Sequence, residues 1–188
     1  METASLDIVQ TFEDAHQGEI WNIFYVPFAY YDSKCKILTC SSDKTIKYWK
    51  INFDKISNKL NIEIEKTVDT IDQITYCMLS PDSKYLIYSL LDNSIRVYYD
   101  DSNKFFINLY GHKLPVLCFD VSSDGTYLIS GSADKNVKLW GMDFGDCHKS
   151  FFAHNDSVTV VKFVPKTHYF FSGSKDRVVR YWDGDSVI

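Results

Sequence analysis

Serine, histidine and aspartate recur together in this chain at fixed distances. His112 stands 18 residues before Ser130 and 22 before Asp134, and His154 keeps the same distances to Ser172 and Asp176. His16, Thr39 and Asp43 form a third set, with threonine supplying the hydroxyl. A histidine between a hydroxyl and a carboxylate is the constellation of a nucleophilic triad, in which the imidazole takes the hydroxyl proton and the carboxylate orients the ring. That chemistry needs a single exposed nucleophile and oxyanion donors, and no GxSxG-type elbow occurs. A set repeated at constant spacing points to repeated structure instead. Asp143 to Gly145 spell DFG, the magnesium-binding tripeptide of protein kinases, but the Gly-rich loop, strand lysine and HRD loop are missing. The histidines and cysteines nowhere show zinc spacing, so no metal and no cofactor are expected, and the chain reads as a non-enzyme.

The spacing has a longer period. Asp43, Asp92, Asp134 and Asp176 each precede an aromatic residue by six positions, and those anchors, Trp49, Tyr98, Trp140 and Trp182, lie 49, 42 and 42 residues apart. This is the interval of WD repeats, in which each unit supplies four short strands to one propeller blade. The predicted fold is therefore all-β: a WD-repeat β-propeller with four blades of four antiparallel strands, read as a fragment of a larger propeller. An aspartate in the tight turn between second and third strands can accept backbone amides and a proton from the histidine entering the blade. A hydroxyl on the second strand and the indole N–H can extend that chain. The expected networks are His16, Thr39, Asp43 and Trp49; His112, Ser130, Asp134 and Trp140; and His154, Ser172, Asp176 and Trp182. The second unit keeps only Asp92, with Thr70, Tyr88 and Tyr98 in place of the others, and is expected to be the least rigid blade.

Strand and turn signals divide the chain accordingly. Residues 15–67 read as the first blade, 68–109 as the degenerate second, 110–152 as the third, and 153–188 as a fourth without its own outer strand. Residues 1–14 contain DIVQTF, Asp7 to Phe12, read as the outer strand of a neighbouring or closing blade. Unpaired edges invite pairing. The expectation is that this strand completes the fourth blade, giving a four-bladed ring within one chain or an eight-bladed ring between two, so the fragment can self-associate through its open edges. Two insertions depart from the period. His16 and Asp43 are 27 residues apart, five more than in the later units, and Phe28, Tyr30 and Tyr31 in the added stretch form a candidate partner-binding rim. Ile51 to Lys66 reads as a lengthened, solvated hairpin.

Bulk composition narrows the class. The 188 residues are 45% hydrophobic and 16% aromatic, enough for a packed core. No uncharged apolar run is long enough to span a membrane, and METASLDIVQ lacks the order of a secretory leader, so the expectation is a soluble intracellular protein with no membrane contact. Five cysteines without a CxxC pair read as reduced core fillers. A formal charge of −5 and no block of lysine and arginine give no field for phosphates, so nucleic-acid contact is expected to be local or through partners.

The second half carries motifs that repeat physics does not require: LYGHKLPV, GSADKNVKLWGMDFGDCHKS and FVPKTH. With them the stretch from Phe105 to Asp176 resembles the family of U-three small nucleolar RNA-associated WD-repeat protein twelve, called WD repeat-containing protein three in animals. The resemblance implies a nuclear and nucleolar scaffold with two tandem propellers. It implies membership of the UTP-B subcomplex of the small-subunit processome, with other UTP-B and processome proteins as partners and U-three RNA and pre-ribosomal RNA reached indirectly. Only the two motifs GMDFGDCHKS and FVPKTH separate this reading from a WD scaffold or substrate receptor of another nuclear or cytosolic complex.

Overall fold

A computed structural model describes residues 8, 10–26, 35–54 and 59–185. Among them lie fifteen strands and no helix, arranged as four antiparallel sheets in chain order. The first sheet holds β1 (Ile20–Val26), β2 (Cys35–Ser41), β3 (Thr45–Asp54) and β4 (Lys59–Asp69). The second holds β5 (Ile74–Leu79), β6 (Tyr85–Leu90), β7 (Ile95–Tyr99) and β8 (Phe105–Leu109). The third holds β9 (Val116–Val121), β10 (Tyr127–Ser132), β11 (Asn136–Gly141) and β12 (Cys147–Phe152). The fourth has three strands, β13 (Val158–Phe163), β14 (Tyr169–Ser174) and β15 (Val179–Asp183). Each sheet is a meander of neighbours in sequence, a propeller blade.

The sequence of each strand follows its depth. Second strands such as YLIYSL and YLISGS are buried along nearly their whole length because sheets cover both faces, whereas the outer strand CHKSFF is mostly exposed. Three cores join the four sheets. Leu38, Ile46 and Tyr48 pack with Ile74 and Leu86; Ile87 and Val97 pack with Phe119 and Trp140; Ile129 and Leu139 pack with Val161 and Phe170. The outward faces of the two end sheets remain open, with Trp21 60% exposed on β1 and Val179 72% exposed on β15.

The turns between second and third strands share one conformation. Lys44, Asn93, Lys135 and Arg177 have φ between 67° and 71°, each directly after the repeat aspartate. The aspartate holds the bend by accepting the amide two residues on, at 2.9 Å for Thr45 and Ser94 and 3.0 Å for Asn136 and Val178. Register slips recur as well. Where Trp49, Tyr98 and Trp140 pair outward, the partner strand carries one extra residue, Glu65, Phe106 and His148 respectively. Such bulges bend the strand and re-aim a side chain.

Two features differ from the sequence reading. The described residues of the stretch Asp7 to Phe12 form no strand, and the Phe12 ring lies 5.0 Å from that of Trp49, beside the first sheet rather than the fourth. Cys40, Cys77 and Cys118 are buried, but Cys147 is exposed because it opens an outer strand. Burial pushes the Cys118 thiol up to about 12, which keeps it protonated and inert.

Candidate functional site

In the third blade the repeated residues meet. His112 Nδ1 lies 2.9 Å from Asp134 Oδ2 and its Nε2 lies 2.8 Å from Ser130 Oγ. Trp140 Nε1 donates to the same hydroxyl oxygen at 2.8 Å. With the ring proton on Nδ1 and given to the carboxylate, Nε2 accepts the serine proton, so every partner is satisfied. The fourth blade repeats this, with His154 3.0 Å from Asp176 Oδ2, 2.8 Å from Ser172 Oγ, and Trp182 donating to Ser172 at 2.8 Å. In the first blade His16 lies 3.0 Å from Asp43 and 2.7 Å from Thr39 Oγ1, which also accepts from Trp49 at 2.8 Å.

The connectivity is that of a catalytic triad, hydroxyl to Nε2 and Nδ1 to carboxylate, yet its placement is opposite to what a nucleophile needs. Ser130 is fully buried, and its oxygen already accepts an indole N–H. The carboxylates are tuned to remain charged. Burial works against ionisation of Asp43, but Thr45, the Gln17 amide and His16 outweigh it and hold the carboxyl at about 2. Asp176 reaches about 2 by the same balance, through the amides of Asn155 and Val178 and through His154. Asp134 is likewise held below the ordinary carboxylate range, with burial opposed by His112 and the Lys113 amide.

The second blade replaces this wiring. Asp92 accepts from the Ser94 amide and from Arg96 at 3.3 Å, while Tyr88 and Tyr98 stack with centroids 5.6 Å apart. Thr70 turns away, its single hydroxyl proton shared between the carbonyl oxygens of Lys44 at 2.9 Å and Asp72 at 2.8 Å. A cavity of about 340 Å³ lined by Thr70, Ile71, Tyr88 and Tyr98 opens there. Phe28, Tyr30 and Tyr31 lie outside the described residues, as does the tip of the long β3–β4 hairpin.

The opposite rim holds interacting residues that lie outside the repeated histidine, hydroxyl, aspartate and aromatic positions. Tyr85, Tyr127 and Tyr169 open β6, β10 and β14, one repeat apart. Tyr127 is met edge-on by His148 at 5.5 Å and by His168 at 4.9 Å. His168 in turn bridges Asp124 at 2.9 Å and Asp185 at 2.7 Å, and its pKa is raised chiefly by the Asp124 hydrogen bond, which with Asp185 outweighs desolvation. Asp120, buried, accepts from Lys162 at 2.8 Å and from the Phe163 amide at 2.9 Å, joining third and fourth blades. Asp120 and Lys162 occupy one repeat position in adjacent blades, but the period alone does not say that they meet. Both motifs that distinguish the chain from a generic repeat converge here, His148 from GMDFGDCHKS and His168 from FVPKTH.

Comparison with known proteins agrees with this architecture. The model of the WDR3 second beta-propeller domain matches residues 1–187. U3 small nucleolar RNA-associated protein 12 of Saccharomyces cerevisiae is 47% identical over 126 residues, covering 62% of this chain and 13% of that protein. The WD repeat-containing protein 3 homolog of Dictyostelium discoideum is 44% identical over 111 residues, 55% of this chain and 11% of that protein. WD repeat-containing protein 3 of Homo sapiens is 42% identical over 117 residues, 60% of this chain and 12% of that protein. The chain thus spans roughly an eighth of the length of the curated relatives it matches. With a propeller frame, its repeated hydrogen-bond networks and a match over nearly every residue, the chain belongs to the WDR3 second beta-propeller domain family.

Proposed function

We propose that this chain is part of a non-catalytic protein-interaction scaffold in ribosome biogenesis, acting in the small-subunit processome on the path to 18S ribosomal RNA. Within that assembly it serves the UTP-B subcomplex in the nucleolus. Its direct partners are other processome proteins, and U3 RNA and pre-ribosomal RNA are reached through them. The observation that carries this reading is the fate of its most reactive-looking residues. The hydroxyls of Thr39, Ser130 and Ser172 are buried under indole N–H groups, so the triad-like sets hold blades together and leave the rims for contact. The names of the yeast and animal relatives support the assembly, and the net charge of −5 favours protein over direct phosphate contact.

The test is co-precipitation of the full-length protein from growing cells, followed by probing for U3 RNA and for the longest ribosomal precursor. Enrichment of both is expected. A folded bait that enriches neither would overturn the assignment.

A further inference from the structure

The GMDFGDCHKS segment builds a surface that blade folding does not need. β11 and β12 are joined by a hairpin at whose tip Phe144 is 85% exposed. The hairpin is not loose. The Gly141 amide donates to the Asp146 carbonyl oxygen at 3.0 Å, the Gly145 amide to the Gly141 carbonyl oxygen at 3.1 Å, and the Phe144 amide to Asp143 Oδ1 at 2.9 Å. Gly145, at φ 75°, turns the tip towards the second blade, where an added Cβ would come within 3.0 Å of Leu109. The fold therefore fixes a large apolar ring in water, at a cost that a solvated turn would avoid.

Beside that ring runs a cleft of about 630 Å³ between the second and third blades. Its walls are rigid aromatic pairs: Tyr85 stacked on Phe106 with centroids 4.8 Å apart, facing Tyr127 met edge-on by His148. Phe106 and His148 line the cleft and are the extra residues of the two bulges, so the register slips aim them into it. Gly141 keeps the cleft open. It stands opposite Tyr127 in register, where the second blade pairs Tyr85 with Tyr99, and a Cβ there would meet His148 Nε2 at 2.6 Å. The charges divide between the walls: Lys84 Nζ lies 5.0 Å from the centroid of the Tyr85 ring, and the side that carries Phe144 is acidic. Asp143 lines the cleft, with no counter-cation among the described residues, and Asp146 follows it, its side chain 60% exposed and paired to His148.

We infer that this cleft docks an extended segment of a partner protein carrying a large apolar side chain next to arginine or lysine. Concave aromatic walls of this volume have room for a bulky side chain together with the segment that carries it, and Phe144 would close over that side chain as an exposed anchor. The carboxylates select the flanking cation and repel phosphate, so the rings are not a platform for stacking RNA bases. The inference holds whichever assembly the propeller serves.

The experiment measures binding of the full-length protein to three fluorescent probes by anisotropy: decapeptides with a central tryptophan flanked by arginine, the same peptides flanked by glutamate, and a single-stranded RNA decamer. The arginine-flanked peptides are expected to bind about tenfold or more tightly than the glutamate-flanked ones, with Phe144→Ala removing about tenfold and Asp143→Lys reversing the preference. Phe144 is exposed, so an unchanged melting temperature of the Phe144→Ala protein certifies that the fold is intact. Equal binding by wild type and Phe144→Ala, indifference to the flanking charge, or RNA binding that Phe144→Ala abolishes would overturn the assignment.

Discussion

Replacing Asp134 by alanine separates structural wiring from chemistry. Its side chain is 5% exposed and accepts three bonds, from His112 Nδ1 at 2.9 Å, the Lys113 amide at 2.8 Å and the Asn136 amide at 3.0 Å. Without it the His112 ring proton faces a buried void, which costs about 1–3 kcal/mol. The two amides lie in surface turns where water replaces the carboxylate, so each adds about 0.5 kcal/mol. The sum is roughly 2–4 kcal/mol, which for a domain of this size lowers Tm by about 4–16 °C. The matched control is Asp92→Ala. Asp92 is 32% exposed at its side chain and has no histidine partner, but it also accepts from the buried Ser94 hydroxyl, so its loss should cost about 1–2 kcal/mol, below that of Asp134. Thermal melts followed by circular dichroism decide the matter. Equal losses for both variants, or an unchanged Tm for Asp134→Ala, would refute the claim that the histidine-linked network carries the blade.

Acid should find the same groups. Asp43 and Asp176 titrate at about 2 in the folded chain against 3.8 when unfolded, so their contribution is whole above pH 4 and fades as pH falls towards 2; urea midpoints that stay flat across that window would contradict it. His168 has the opposite sign: its raised pKa makes the Asp124–His168–Asp185 bridge fully stabilising below about pH 6.5 and weaker as pH rises beyond, and His168→Asn should flatten that slope in the same titration. The second blade, lacking the histidine link, should exchange its β5–β8 amides faster than the third blade exchanges β9–β12, as read by hydrogen-exchange mass spectrometry. The open faces around Trp21 and Val179 should drive self-association of the 188-residue chain, seen as a concentration-dependent mass by light scattering and suppressed by Trp21→Lys or Val179→Lys; a monomeric mass at all concentrations would count against it.

What could be read in advance was what lies within one repeat. Asp43, Asp92, Asp134 and Asp176 announced the turns because a six-residue offset to an aromatic ring spans one short hairpin, and the histidine-to-aspartate distances follow from the same geometry. The four strands of the third unit were legible for that reason, alternation and turn residues being local signals. Contacts between blades were not. Asp120 meeting Lys162 and His168 meeting Asp124 depend on the stagger of adjacent sheets, which no local pattern encodes. The bulges at Phe106 and His148 were hidden too, because one extra residue in a short outer strand leaves composition and alternation nearly unchanged. Phe12 shows the converse case: read as part of an edge strand, its ring lies against that of Trp49.

Three cores in series also set how the molecule comes apart. Each core is shared by two sheets adjacent in the chain, so losing the β13–β15 sheet bares the seam of Ile129 and Leu139 and leaves the other two cores closed. A protease working inward from either tail would therefore meet resistance that rises and falls once per repeat. Its digest would shorten in blade-sized steps of about 42 residues, a ladder whose rungs are the seams themselves.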